Sequence, residues 1–180
     1  METIKIVLYI VIGISIILLG YVYLYNKIKT QILKINAAES EIDESLRLKY
    51  DLLTKIISEI KKTNKEENKF DDIEKIKDEN LSSFEFERKL ADIESQIYTI
   101  RNDNTKLLKN NVFNDLWYEI TTLNSKIKAE EKYYNENTTI YNELVTKFPS
   151  KIVSMILKLN EKKYFDGKNM YDKNIKDFKI

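Results

Sequence analysis

The sequence predicts an all-α protein: an N-terminal transmembrane helix continuing into an antiparallel up-and-down helical bundle of three long helices plus one short. Three observations carry that expectation. Residues Ile6 to Tyr25 form twenty consecutive positions without a charge. Beyond them, isoleucine, leucine and aromatic residues recur at a period near 3.5 over long runs, the spacing of left-handed helical packing. Across 180 residues there are three Gly and one Pro, and 33% of side chains are charged, so little breaks helices whose outer faces are solvated.

The apolar run IVLYIVIGISIILLGYVYLY comes first. At about 1.5 Å per residue it spans roughly 30 Å as a helix, the hydrocarbon thickness of a bilayer. Tyr21, Tyr23 and Tyr25 crowd its C-terminal end, where an aromatic belt meets the headgroups. A buried core helix of this length would carry a polar face. A cleaved signal peptide would show small residues at its cleavage site, whereas bulky Tyr-Val-Tyr-Leu-Tyr follows Gly20. No cysteine is present, which excludes lipoprotein processing and a disulfide framework. The anchor is therefore expected to stay attached. Lys27, Lys29 and Lys34 follow it with no acid before Glu39, so the positive-inside rule predicts a single-pass protein of the cell membrane, bundle cytoplasmic and short N-terminus outside.

From Asn26 to Lys62 neither Gly nor Pro occurs, and the anchor helix is expected to run on into water. With the anchor it approaches 60 residues, or about 85–90 Å. Its seam is Ile28, Ile32, Ile35, Ile42, Leu46, Leu53, Ile56 and Ile60, interrupted by Glu39 and Lys49. Thr63 to Lys69 is polar and reads as a loop. Asp71 with Glu74, and again Ser82 with Glu85, has capping-box spacing, so the second helix is expected to break between Glu79 and Ser83. The seam resumes through Phe86, Leu90, Ile93, Ile97 and Ile100. Asn102-Asp103-Asn104 then begins a connection ending near Asn111.

The third helix carries Phe113, Leu116, Ile120, Leu123, Ile127, Tyr134, Tyr141, Leu144 and Phe148 on one stripe, and Pro149 stops it. Ser150 is expected to cap a fourth helix to roughly Asn160, with Ile152, Met155, Ile156 and Leu159 on one face. The tail beyond Gly167 is polar with scattered apolar residues. Three parts follow: an anchor over 1–25, a bundle over 26–166 and a loosely ordered tail over 167–180.

The most specific local feature is a repeated dipeptide, Tyr134-Asn135 and Tyr141-Asn142, seven residues apart with both tyrosines on the seam. Two roles fit it: aromatic packing in which each phenol finds a hydrogen-bond partner at the seam's edge, or a ligand-binding pair. Glu130 and Asn137 occupy seam positions beside the aromatics, where polar groups fix register or line a small polar cavity. No histidine or cysteine is available as base, nucleophile or common metal ligand, and no glycine-rich phosphate loop exists. No enzymatic activity, catalytic residue, cofactor or metal is therefore expected. Thirty basic against twenty-nine acidic residues give no case for nucleic acid. The expected partners are the lipid bilayer and another protein, and the heptads suit either intramolecular packing or an oligomer.

In order, the chain shows an anchor ending in Tyr25-Asn26, then Tyr50-Asp51-Leu52-Leu53, then the opening Phe113 to Ile120. Tyr134-Asn135, Tyr141-Asn142, Phe148-Pro149-Ser150 and Tyr164-Phe165 follow. From about residue 25 to 166 this order and spacing resembles the LemA family of bacterial membrane proteins. The resemblance implies an antiparallel bundle on one transmembrane helix with a short external N-terminus. The family's molecular function is poorly defined; some relatives are linked to magnetosome membrane formation, and relatives anchored as lipoproteins place the bundle outside the cytoplasm. The family usually has a basic residue, a proline and an asparagine where this chain has Leu48, Thr54 and Lys55. A glutamate and an arginine are usual where this chain has Asn124 and Glu131, so any salt bridge they form is missing here. The functional expectation is a non-enzymatic, membrane-anchored scaffold for protein interaction or membrane organisation. The alternatives are a signalling module using Glu39, Lys49 and Glu130, or a small-ligand site at Tyr134 and Tyr141.

Overall fold

A computed structural model of the chain describes residues 1–64, 70, 73, 76 and 81–165. Its elements are α1 (Glu2–Asn64), α2 (Ser83–Asp103), α3 (Thr105–Leu108), α4 (Asn111–Thr146) and α5 (Ser150–Ile156). The protein is all-α, with α1 packed against the long helices α2 and α4. The chain forms two compact units, one of Met1–Ala37 with Tyr134–Tyr164, the other of Ala38–Tyr133 with Phe165.

In the first unit, every residue of α1 from Glu2 to Gly20 is exposed. Burial begins with half-buried Tyr21, Leu24 and Tyr25 and is complete at Ile28 and Ile35. Tyr21 and Tyr25 stack with centroids 6.3 Å apart, and the Lys29 ammonium lies 5.8 Å from the Tyr25 ring. The seam closes on α4 through Gln31, whose Nε2 donates to Asn137 Oδ1 at 2.7 Å and to its carbonyl at 2.9 Å.

The second unit carries the larger apolar core. Ile42, Leu46, Leu53, Ile56 and Ile60 of α1, Leu90 and Ile97 of α2, and Phe113 and Ile120 of α4 are all fully buried. Ser82 starts α2 as foreseen: its Oγ accepts from Glu85 N while Glu85 Oε2 accepts from Ser82 N at 3.0 Å. Asn104 ends α2 and caps α3, its Oδ1 accepting from Lys106 N at 2.9 Å. Asn110 repeats the device for α4, accepting from Phe113 N at 3.1 Å. Helices α2 and α4 run antiparallel, with Tyr98 stacked on Trp117 and Glu94 bonded to Asn124.

Several expectations need correction. Glu39 does not interrupt the α1 seam; Ala38, 1% exposed, takes that position and Glu39 is half-buried beside it. Helix α1 continues through Thr63 and Asn64, and the connection after Asn102 contains the single turn α3. Phe148 is 80% exposed because α4 ends at Thr146, before its stripe reaches it. The N-cap of α5 is Pro149, without a side-chain bond, because Ser150 Oγ donates back to the Lys147 carbonyl at 3.1 Å. Helix α5 stops at Ile156, where Lys158 (φ 52°) turns the chain and Leu159 N donates to Ser154 O at 3.0 Å. Its buried residues are Ser150, Val153 and Ser154, so the apolar face Ile152, Met155, Ile156 points outward. The capping pair expected at Asp71 and Glu74, and the tail from Gly167, lie outside the described residues.

Replacing Ser82 by Ala removes the acceptor for Glu85 N. It should lower stability by about 1 kcal/mol in chemical denaturation.

Candidate functional site

The repeated Tyr-Asn dipeptide forms a clasp in the first unit. Tyr141, 3% exposed, donates its phenol to the Asn160 carbonyl at 2.9 Å, and Tyr134, 5% exposed, donates to the Lys163 carbonyl at 3.2 Å. Between them Asn142 bonds the backbone of Lys162 twice, Nδ2 to O at 2.9 Å and Oδ1 from N at 2.8 Å. The heptad repeat thus places three side chains on one face of α4, where they replace the strand partner that the extended segment 160–163 lacks. Burial pushes the Tyr141 phenol above its ordinary range, which keeps it a donor. Asn135 offers its carbonyl to Thr139 Oγ1 at 3.0 Å, within α4. Both phenols are thus engaged by backbone.

Glu130 is not part of this clasp. It belongs to the second unit, where Ser45 Oγ donates to its Oε1 at 3.1 Å and Lys126 Nζ lies 3.5 Å away. Its Oε2 is buried and has no hydrogen-bond partner among the described residues. A buried polar layer lies in the same unit. Lys49, 4% exposed, pairs with Glu94 at 2.7 Å, and Asn124 Nδ2 donates to the other Glu94 oxygen at 2.6 Å. Glu87 stands one heptad before Glu94 on α2, and Glu131 one heptad after Asn124 on α4. Antiparallel packing therefore sets Glu87 opposite Glu131 as a second rung.

Charge accounts for the state of that second rung. Burial raises Glu131 to about 7, and the Glu87 carboxylate adds to the shift; Lys49 and Lys128 oppose it, and Glu130 adds a little more. Burial likewise raises Glu87, against the pull of Lys49 and Arg88 and with a push from Glu94 and Asp92. One buried ammonium thus faces a surplus of carboxylates, and a proton on the second rung relieves the excess.

A cavity of about 410 Å³ opens elsewhere in the second unit, between α1 and the start of α2, with Asp43, Arg47, Tyr50 and Phe86 in its wall. Among the described residues no cluster of acids is arranged to hold a metal ion. Sequence reasoning placed Lys49, Glu130 and Asn137 on the seam, and all three are buried. It missed Gln31 and Ser45, which stand seven either side of Ala38, three residues after the visible Ile28 and Ile42. It also missed Glu87 and Glu94, whose seven-residue spacing matches that of Asn124 and Glu131.

The LemA family model matches residues 38–177. The chain belongs to the LemA family. No curated protein and no solved structure was found to match it. Asn124 and Glu131 of this LemA chain are both rungs of the polar layer.

Two outcomes test these roles. Asn142→Ala removes both bonds to Lys162 and should destabilise by about 2 kcal/mol, with faster amide exchange confined to residues around 160–163. For Glu131 the ordinary value is 4.5 and the native value about 7, so between these the folded state holds a proton that the unfolded chain has released. Stability should therefore fall as pH rises through that window and level off above it. Glu131→Gln should flatten the fall and be more stable above pH 7, by about 1 kcal/mol once solvent screening of this half-exposed group is discounted.

Proposed function

We propose that this LemA protein is a non-enzymatic, membrane-tethered helical scaffold that binds another protein or organises a membrane complex. The observation that carries the reading is the first part of α1. Among the described residues it is the one helix long and apolar enough to cross a bilayer, and none of those residues covers its first twenty positions. Apolar surface of that extent is stable in lipid and not in water. The bulky residues after Gly20 support retention of this segment over cleavage. Lys27, Lys29 and Lys34, all exposed just beyond it, support a cytoplasmic bundle. The buried polar groups support an interaction role over chemistry: the clasp side chains bind backbone, and Lys49 is held by Glu94.

Alkaline carbonate extraction of native membranes should leave the full-length chain in the pellet, and photo-crosslinking there should return the same protein partner in repeated preparations. Release into the supernatant, or no reproducible partner together with no membrane phenotype on deletion, would overturn the proposal.

A second reading, a sensor that couples the membrane helix to the bundle, is favoured by the surplus of carboxylates around Lys49. It requires partner crosslinking to differ below and above about pH 7 in the natural chain and not in Glu131→Gln. Identical crosslinking on both sides would remove it.

A further inference from the structure

Helix α5 carries an apolar face that the described residues leave uncovered. Ile152 is 54% exposed, Met155 68% and Ile156 62%, and Phe148 just before the helix is 80% exposed. Their position within the first unit says what covers them. Glu130 of α4 meets Ser45 of α1, whereas Asn137 of α4 meets Gln31, so the two helices run antiparallel. From the Gln31–Asn137 contact, nine residues toward the start of α1 reach Val22, and nine toward the end of α4 reach Thr146. Each step is about 13 Å, which sets the last turn of α4 level with Val22. That is the tyrosine-rich end of the apolar segment, where the exposed run gives way to the buried seam.

Helix α5 lies beyond this level. Ser154 Oγ donates to the Val145 carbonyl at 2.9 Å, one of the last carbonyls of α4, which point along the helix axis away from its start. The small inner face Ser150, Val153, Ser154 therefore sits under the end of α4, and the face Ile152, Met155, Ile156 looks the other way. The chain returns immediately, since Asn160 already meets Tyr141. Exposed lysines border this end of the unit, Lys151 and Lys158 around α5 and Lys27 and Lys29 on α1.

The geometry points to a second membrane contact: α5, with Phe148, lies in the headgroup region of the same anionic leaflet from which α1 emerges. An interfacial helix buries its apolar face roughly 5–10 Å into that region, with basic residues at the phosphates. One transmembrane helix by itself leaves the bundle free to swivel and tilt. A second apolar contact at the level of Tyr21 to Tyr25 fixes one side of the bundle toward the membrane. The inference rests on the tether proposed above and deepens it by assigning the surface that meets lipid.

The absence of cysteine makes the test direct, because any introduced thiol is unique. Ile156→Cys, Val11→Cys and Leu33→Cys, each an exposed apolar position on the first unit, are labelled with an environment-sensitive fluorophore. The full chains are reconstituted in phosphatidylcholine–phosphatidylglycerol vesicles containing doxyl-labelled lipid. The expected result is quenching and a blue shift at position 156 as well as at position 11, and neither at position 33. At position 156 a shallow doxyl group should quench more than a deep one. A water-exposed probe at 156 with a quenched probe at 11 overturns the inference and leaves the tether standing. Quenching at 33 equal to that at 156 also overturns it, since the fluorophore itself would be seeking lipid. An unquenched probe at 11 overturns the tether reading, and the α5 contact with it.

Discussion

Helix α1 carries two kinds of surface along its length, and that division governs the rest of the structure. From Ile6 to Gly20 its side chains are uncharged all round and exposed; from Ile28 they are apolar on one stripe, and that stripe is buried. A stripe can be covered by neighbouring helices, whereas an all-round apolar surface needs a solvent that is itself apolar. The change falls within Tyr21 to Ile28, where three tyrosines, Asn26 and Lys27 join the aliphatic residues. Helix α4 ends at the same level, so protein packing starts about where the all-round apolar run stops. The exposed face of α5 belongs to that junction. On any other part of the unit, four large apolar side chains in the open would be a liability.

The long helices were legible in the sequence because a 3.5 period needs little besides regularity to declare itself. Ile28, Ile35, Ile42, Leu53 and Ile60 on α1, and Phe113, Ile120 and Ile127 on α4, are buried as their spacing demanded. The Ser82–Glu85 cap and the paired phenols were legible as well, since each depends on a side chain acting on nearby or regularly repeated positions. Less visible was the polarity of the seam. Gln31 and Ser45 hold heptad positions, yet a reading that followed apolar residues alone passed over them and assigned the interruption to Glu39. Ala38, small and easily overlooked, carries the stripe there.

The orientation of α5 shows a different limit. An amphipathic stripe states that a helix has two faces and leaves open which solvent covers the apolar one. The spacing of Ile152, Met155 and Ile156 placed them on one face and no more. What decides the matter is Ser154, whose hydroxyl finds a free carbonyl at the end of α4 and so turns the small residues inward. A hydroxyl that satisfies an orphaned helix terminus removes a desolvation penalty of about 1–3 kcal/mol. That term favours the observed orientation, which leaves the apolar face outward.

The layer around Lys49 raises the question of what a buried charge is for. Replacing a buried ion pair by packed apolar residues is often neutral or stabilising, so the Lys49–Glu94 pair is weak evidence of a stability role. The surrounding acids sharpen the point. Glu87, Glu94 and Glu131 gather around the buried Lys49 ammonium. Glu94 keeps its charge satisfied from two directions, through Lys49 and Asn124. The strain falls on the other rung, where burial and mutual repulsion leave Glu131 holding its proton up to about pH 7. A layer built for strength alone would not concentrate acids there. One whose proton count changes near neutrality gives the bundle a charge state that its surroundings can set.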